Sequence, residues 1–176
     1  LVPSGVMMYS FVPGDYRIRY VQTHADETQP MFYKLASYWG GLDGSIMFWV
    51  TLLAIFGSVA VYLNRERHRL LMPWVVAVIA SVEMFFLFLM VVHNNPFETF
   101  LGPTPAAGQG LNPLLQNFYM AIHPPLLYLG FTGMTIPFAF GIAALASGQV
   151  DDSWLRAARG WTMTAWMLLT VGLALG

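Results

Sequence analysis

The feature that most limits the fold of this chain is a run of 20 residues, 44–63, that contains no charged side chain. A helix of this length rises about 30 Å, which matches the thickness of the hydrocarbon core of a bilayer. Three further apolar runs of similar length follow it along the chain. The sequence therefore predicts an all-α fold, a polytopic integral membrane helical bundle with about four transmembrane helices, at 44–63, 70–92, 125–147 and 160–176.

The composition favours membrane lipid as the surrounding medium and excludes several classes of function. Hydrophobic residues make up 57% of the chain and charged residues 10%, whereas soluble domains carry about 25% charged residues. The net charge of −1 gives no support for a nucleic-acid partner. Because the chain has no cysteine, it holds no disulfide, thiolate nucleophile, zinc finger or iron–sulfur cluster.

The residues outside the apolar runs form three regions. Residues 1–13 are apolar and are interpreted either as the end of a membrane helix or as an ordered apolar turn. The polar segment 14–43 includes an alternating stretch, 15–21, that predicts a short extended piece. The loop 93–124 is rich in proline, glycine and asparagine. Because the N-terminus has neither an initiating Met nor a basic region, it is not read as a signal peptide, and the chain is interpreted as an interior fragment.

The positions of the arginines predict how the bundle is oriented. The two short loops that separate the first pair and the last pair of apolar runs hold five of the eight Lys and Arg residues. By helix count both loops face one side, which the positive-inside rule makes cytoplasmic. The loop 93–124 has no Lys or Arg, so it is predicted to be external together with 14–43. The five residues are Arg65, Arg67, Arg69, Arg156 and Arg159.

His123 lies at the predicted outer end of the third apolar run, directly before Pro124 and Pro125. Proline is tolerated in the first turn of a helix, so the pair predicts a helix start with His123 near the N-cap. The positive end of the helix dipole disfavours an imidazolium there, and the neutral imidazole is the form that ligates metal or haem iron. The residues alone leave two interpretations open, an iron ligand or an interfacial histidine bonded to a loop carbonyl.

Four other ionisable side chains are weaker candidates. His24 and His93 lie in the predicted outer regions and would give a bis-histidine site if they approached His123; otherwise they are solvated. His68 belongs to the basic cytoplasmic cluster. Glu83 lies inside the second run, where an ionisable group at bilayer depth is a functional candidate. It is interpreted as a proton carrier, as a partner of a polar group on a neighbouring helix, or as a carboxyl group that is held protonated and hydrogen-bonded.

Two further patterns concern flat surfaces and helix packing. Aromatic residues make up 15% of the chain and are interpreted as a membrane-interface belt or as a platform for a planar ligand such as porphyrin. Small residues recur along the third apolar run and predict close approach of a neighbouring helix. They are Gly130, Gly133, Ala139, Ala143 and Ser147.

Several continuous motifs then give a family resemblance over nearly the whole chain. The run GLNPLLQNFYMAIHPPLLYLG is followed by PFAFGIAALASG and by RGWTMTAWMLLTVGLALG, and DYRIRYVQTHADETQPMFYKLASYWGGLDGS and NPFETF precede them. In these motifs the chain resembles the CcmF family of cytochrome c maturation proteins, which includes a nitrite-reductase-associated branch. The resemblance implies a component of a cytochrome c haem lyase, which attaches haem covalently to the CXXCH cysteines of apocytochrome c on the outer face of the membrane.

The resemblance also implies site residues and partners. His123 of the IHPP motif would be an axial ligand of the haem iron, with Pro124 and Pro125 completing the haem-binding motif. The haem, a b-type haem acting as substrate, would arrive from the periplasmic haem chaperone CcmE. Further partners would be apocytochrome c, CcmH/CcmI-type thiol and chaperone subunits, and membrane lipid. The location implied is the bacterial inner membrane, with the haem site on the periplasmic side.

The resemblance is incomplete at some positions. The second external histidine and the tryptophan-rich motif of the family are expected beyond Gly176, as are the family's transmembrane haem ligands. Leu42 and Asp43 replace a His-Glu pair, so no role is carried over to them. Glu83 and His93 have no assigned counterpart. Two other functions stay open on the residues alone: a proton-coupled carrier with Glu83 as the relay, and a membrane-embedded interaction subunit without a cofactor.

Overall fold

The computed structural model describes residues 1–149 and 151–176, and in that part of the chain it is a bundle of helices. It contains no strand there, and a lone β-bridge joins Ile18 to Thr99. The predicted all-α fold is therefore confirmed. The α-helices are α1 (Val2–Phe11), α2 (Arg19–His24), α3 (Met31–Ala36), α4 (Leu42–Asn64), α5 (Met72–Val92), α6 (Phe118–Ser147) and α7 (Ser153–Leu175), and a short 3-10 helix spans Pro113–Leu115.

Within the described residues, three helices are long and apolar enough to cross a membrane, namely α4, α5 and α6. They correspond to the first three predicted runs. The fourth run, 160–176, is also helical and forms most of α7, but α7 is not one of the three. The first half of α7 carries Arg156 and Arg159 together with two threonines, which makes it less apolar. The prediction of about four spans is thus matched by three such helices and a fourth that lies along α6.

Helix α6 is the centre of the bundle and packs against α4, α5 and most extensively α7. A Cβ atom added at Gly133 would lie 3.1 Å from the Cβ of Ala165, and one at Gly130 would lie 3.0 Å from the Ala165 carbonyl oxygen. Close approach of this kind is what small residues allow in a membrane bundle, so the predicted packing role is confirmed. The core between these helices includes Ala60, Val75, Ile136, Phe140, Ala143 and Ala158.

Helices α1, α2 and α3 form a cap over the N-terminal end of α4, with Met7, Phe11, Tyr20, Tyr38 and Met47 in its apolar centre. The residues before position 13 are a helix rather than a turn. A chain of hydroxyl groups fixes this helix, because the Tyr38 hydroxyl donates to Ser4 Oγ over 2.8 Å and Ser4 Oγ contacts Thr51 Oγ1 on α4. The polar segment 14–43, called here the outer segment because it is predicted to be external, is therefore folded onto the bundle.

The extended piece predicted at 15–21 is mostly wrong. Only Ile18 makes a bridge, and helix α2 begins at the next residue. The Arg19 N–H donates to the Glu98 carbonyl oxygen over 2.8 Å, and the Arg19 guanidinium lies 3.2 Å from the Glu98 carboxylate. The contact with Glu98, in the loop after α5, therefore determines the backbone conformation at Arg19. The alternating pattern along 15–21 cannot predict a contact with so distant a residue.

The predicted start of the third span at Pro124 and Pro125 is also wrong. Helix α6 begins at Phe118, where the side chain of Asn117 accepts a hydrogen bond from the Tyr119 N–H over 2.9 Å and caps the helix. The two prolines are the seventh and eighth residues of the helix, about two turns from its start. His123 is therefore not at an N-cap and lies beyond the first turn, within which the helix dipole acts.

Candidate functional site

The ring of His123 lies between α6 and the C-terminal end of α7. Its Nδ1 atom is 2.7 Å from the carbonyl oxygen of Gly172. Gly176 lies against the same ring, because a Cβ atom at that position would overlap with the imidazole. The side chain is half-buried. His123 is thus held by two glycines of the neighbouring helix segment rather than by a loop.

The contact with Gly172 determines which nitrogen of His123 carries the proton. A backbone carbonyl oxygen can only accept, so Nδ1 must donate. In the neutral ring the other nitrogen, Nε2, then has its lone pair available. Among the residues that the structure describes, none hydrogen-bonds to Nε2. A histidine that donates one N–H to a backbone carbonyl while the other nitrogen is unprotonated is the usual arrangement of a metal-ligating imidazole.

The close approach of α7 to His123 depends on the small size of Gly172. A Cβ atom at this position would lie 2.9 Å from Leu127 Cδ2 and 3.2 Å from the Leu127 backbone nitrogen. Any larger residue would push α7 away from α6. Because the hydrogen-bond acceptor is the carbonyl of this same residue, the packing of the two helices and the orientation of the imidazole are set together.

The double proline has a structural consequence one turn before it. Pro125 has no N–H, so the carbonyl oxygen of Ala121 has no helical partner four residues later. The indole Nε1–H of Trp39 donates to that oxygen over 3.0 Å. Ala121 is buried, so without this donor its carbonyl would be left unsatisfied. Trp39 therefore ties the outer segment to the turn of α6 that carries His123.

Sequence reasoning missed Trp39, Gly172 and Gly176 as neighbours of this site. The aromatic residues as a group indicate only an interface belt or a flat platform, although the proline at 125 is a usable signal, since it predicts an unpaired carbonyl at 121. The two glycines had no local signal. Their role depends on how α7 lies against α6, which spacing along one helix does not reveal.

Replacement of Trp39 by phenylalanine is expected to lower the free energy of unfolding by about 1–3 kcal/mol, because it leaves the buried Ala121 carbonyl without a donor. Thermal unfolding in detergent measures the change. As a control, Trp39→Phe is also made in a protein that carries Pro125→Ala, where the restored backbone N–H of residue 125 can donate to the Ala121 carbonyl oxygen. There the cost of Trp39→Phe should be clearly smaller, and an equal cost in both backgrounds would contradict the assignment.

The other histidines are placed in separate environments. His24 packs on the Tyr20 ring at 4.3 Å between centroids, and its Nδ1 lies 2.8 Å from Thr23 Oγ1. His93 ends α5 in an exposed position with its ring edge-on to Phe88. His68 lies edge-on to Phe140 at the opposite end of the bundle. The contacts of His123 are with α7, so the structure does not show the bis-histidine arrangement with His24 or His93.

A polar cavity of about 290 Å³ lies beside His24 on the outer segment, and its walls include Asp43 and Glu98. Asp43 accepts a hydrogen bond from the Asn94 side chain over 3.1 Å, and Glu98 is paired with Arg19. In residues 1–149 and 151–176, no group of three or more histidine and acidic side chains is placed to hold a metal ion.

Burial lowers the pKa of His24 below the ordinary histidine value of 6.5, and the bond to the Tyr20 carbonyl opposes that effect. A lowered pKa in the folded state means that the fold favours the neutral ring, so its stabilisation is present above pH 6.5 and is lost as the pH falls.

Amide exchange in α2 is therefore expected to become faster between pH 7.5 and 5, after correction for intrinsic rates, because protonated His24 is less well accommodated. His24→Gln should remove this acceleration, whereas His93→Gln, at an exposed position, should keep it. Identical profiles for both variants would contradict the assignment to His24.

Glu83 lies in the middle part of α5 and is half-buried. It lines a groove of about 410 Å³ between α4 and α5, together with Gly57, Val61, Ile79 and Ala80. The groove is otherwise mostly apolar. The position of Glu83 in the middle of α5 agrees with the prediction of a carboxyl group at bilayer depth. Glu83 does not line the site around His123, which is formed by α6 and α7.

Many of the aromatic rings contact one another where helices meet, and the stacked pairs are the following. Trp49 on α4 lies 5.0 Å from the Phe86 ring on α5 and 6.1 Å from the Phe131 ring on α6, with both pairs nearly parallel. Phe32 stacks on Phe118 at 5.8 Å. These rings join α4, α5 and α6 and join the outer segment to α6.

Comparison with known proteins shows which family this chain is similar to. The family model described as cytochrome C assembly protein matches residues 39–176. The chain is 35% identical over 176 residues to the cytochrome c-type biogenesis protein CcmF of Pseudomonas fluorescens, covering 100% of this chain and 27% of that protein. It is 39% identical over 175 residues to the cytochrome c-type biogenesis protein ccl1 of Rhodobacter capsulatus, covering 99% and 27%.

A solved structure gives the same result for the fold. It is titled cytochrome c heme lyase CcmF, and it superimposes with a TM-score of 0.74 at 28% identity, over 96% of this chain and 26% of the other. The chain thus spans about a quarter of the length of the relatives that it matches. Helices α4 to α7 and the His123 site all lie inside the residues that the family model matches.

Proposed function

The chain belongs to the cytochrome c assembly protein family, and we propose that it binds haem at the outer face of a membrane and assists its covalent attachment to apocytochrome c. In this role it is a component of a haem lyase. The observation that carries the proposal is the contact between His123 Nδ1 and the Gly172 carbonyl oxygen, which leaves Nε2 unprotonated in the neutral ring. An imidazole in this state is a common axial ligand of haem iron.

Haem is the substrate of this proposed reaction. Each new thioether bond forms when a cysteine sulfur of the apocytochrome adds to one carbon of a haem vinyl group and the thiol proton is delivered to the other carbon. The addition needs no net oxidation or reduction. The porphyrin and the thiols supply the reacting groups, while the protein supplies position and electrostatics. His123 holds the haem iron, and the rigid turn with Pro124 and Pro125 holds His123.

The proposed location is the bacterial inner membrane, with His123 on the periplasmic side. The apolar helices and the family support a multi-pass membrane protein. The loop between α4 and α5 and the first turns of α7 carry five arginines, whereas residues 93–124 carry no Lys or Arg. The positive-inside rule then places the His123 end of α6 outside.

The proposed partners follow from the chemistry at this face. Haem reaches the site from a periplasmic chaperone of the CcmE type, and apocytochrome c presents its cysteines there. Subunits of the CcmH/CcmI type would keep those cysteines reduced and deliver the apocytochrome. The exposed outer loop between α5 and α6 is the surface on which such proteins would meet haem bound at His123.

The proposal is tested in cells that lack the endogenous gene. Cells expressing the full-length protein that contains this chain should form covalently haem-stained c-type cytochromes, and that protein, once purified, should show the Soret absorption of bound haem. If the protein is present in the membrane and neither signal appears, the proposed function is wrong. A proton-coupled carrier with Glu83 as its relay would instead require an acidic residue at 83 while tolerating His123→Ala.

A further inference from the structure

Two adjoining cavities open at the end of the bundle opposite the outer segment. Their volumes are about 600 Å³ and 320 Å³. They lie between the C-terminal end of α4, the loop 65–71 and the first turns of α7. Both cavities are lined by Arg67, Arg156, Asn64 and Ala157, so they form one continuous recess, called here the inner recess.

The arginines around the inner recess are not equivalent. Arg65 and Arg69 both pair with Glu66, and Arg65 also lies 4.8 Å above the ring of Tyr62. Arg67 and Arg156 form no ion pair with any residue in the described ranges, although both line the recess. Two positive charges therefore border one cavity without a protein counterion. This is the electrostatic arrangement that attracts a phosphate group.

The polar end of the recess is well formed. Asn64 is buried, and its side-chain amide is fixed by the Ala60 carbonyl oxygen at 2.8 Å. His68 and Ser153 line the smaller cavity. The nearby carboxylate of Asp151 already accepts a hydrogen bond from Ser153 Oγ over 2.7 Å, so it is engaged beside the recess and does not pair with the arginines.

The other end of the recess is mostly apolar and runs along the first half of α7. The larger cavity is lined there by Leu63, Gly160, Trp161 and Thr164. Along α7 the lining runs from Arg156 to Thr164, which is eight residue steps or about 12 Å along a helix. One cavity thus joins two guanidinium groups at one end to a mostly apolar wall, about one helical turn long, at the other, which is the charge pattern of an amphiphile.

We propose that the inner recess binds an anionic phospholipid, with its phosphate between Arg67 and Arg156 and one acyl chain along Trp161. Basic pockets between transmembrane helices bind anionic headgroups on the cytoplasmic side of membranes. This proposal is independent of haem binding, because His123 lies at the other end of α6. A bound lipid would hold α7 against the end of α4 through the two arginines.

The test compares two double variants that remove the same charge from the same end of the molecule. Arg67→Gln with Arg156→Gln removes the unpaired arginines, and Arg65→Gln with Arg69→Gln removes the paired ones. The purified protein in detergent is titrated with phosphatidylglycerol, with phosphatidylcholine of the same acyl chains, or with inorganic phosphate. Native mass spectrometry counts the bound lipid. All four arginines are exposed, so both variants should remain folded.

The unaltered protein should prefer phosphatidylglycerol to phosphatidylcholine. The Arg67/Arg156 variant should lose about tenfold or more in affinity for phosphatidylglycerol, and the Arg65/Arg69 variant should lose less than about threefold. Equal losses in the two variants would show general attraction to a basic surface and would overturn the site. Absence of any preference between the lipids would also overturn it, as would displacement of the lipid by inorganic phosphate at similar concentration, which indicates a site for free anions.

Discussion

Replacement of His123 by alanine is expected to reduce the yield of holocytochrome c about tenfold or more, because it removes the only nitrogen that α6 places at the haem iron in the proposed site. Loss of an outer partner of a ligand already costs about 10–100-fold in metal affinity, so loss of the ligand itself should cost at least as much. Haem staining of membrane fractions measures the yield, and the Soret absorption of purified protein measures the bound haem.

Three controls separate a ligand from a structural histidine. His93→Ala, at an exposed helix end, and Glu83→Gln, in the groove between α4 and α5, should leave the yield unchanged. In His123→Gly, added imidazole should occupy the space of the missing ring and restore haem absorption. If His123→Ala keeps the full yield, or if imidazole restores nothing while the variant is folded, iron ligation by His123 is wrong.

Replacement of Gly44 by alanine is expected to have the largest effect on stability. A Cβ atom at this position would overlap with the Tyr38 carbonyl oxygen and with the Tyr20 hydroxyl group. The carbonyl belongs to the backbone and cannot rotate away, so the start of α4 must separate from the cap of α1, α2 and α3. Overpacking of this kind costs about 1–3 kcal/mol, and backbone contact places this case at about 3 kcal/mol or more.

The matched control is Gly160→Ala, because Gly160 is also inside a helix but a Cβ atom there would meet nothing within 4 Å. That change should raise the helix propensity of α7 and stabilise the protein by up to about 1 kcal/mol. Thermal unfolding in detergent compares the two variants. Equal unfolding temperatures for Gly44→Ala and Gly160→Ala would contradict the close contact between Gly44 and Tyr38.

The membrane helices could be predicted from the sequence because burial in lipid is decided residue by residue. An uncharged apolar run such as 44–63 is most stable as a helix in lipid, and this holds whatever other helices pack against it. Helices α4 and α5 therefore begin and end near the predicted positions. The start of α6 could not be predicted from its prolines, since Asn117 supplies a cap nearly two turns earlier. Trp39, from a distant segment, then satisfies the carbonyl that Pro125 leaves unpaired.

The sequence by itself determined that this chain is a helical membrane protein, which of its ends carries the basic loops, and that His123 is the histidine with a distinctive setting. Those properties depend on composition and on neighbours along the chain. Only the tertiary structure decided the state of that histidine. Its Nδ1 is fixed by a carbonyl 49 positions away on α7, and α7 comes close enough because Gly172 has no side chain. Hydrogen-bond geometry between two helices, rather than the dipole of one, therefore leaves Nε2 unprotonated in the neutral ring, as the proposed iron ligation requires.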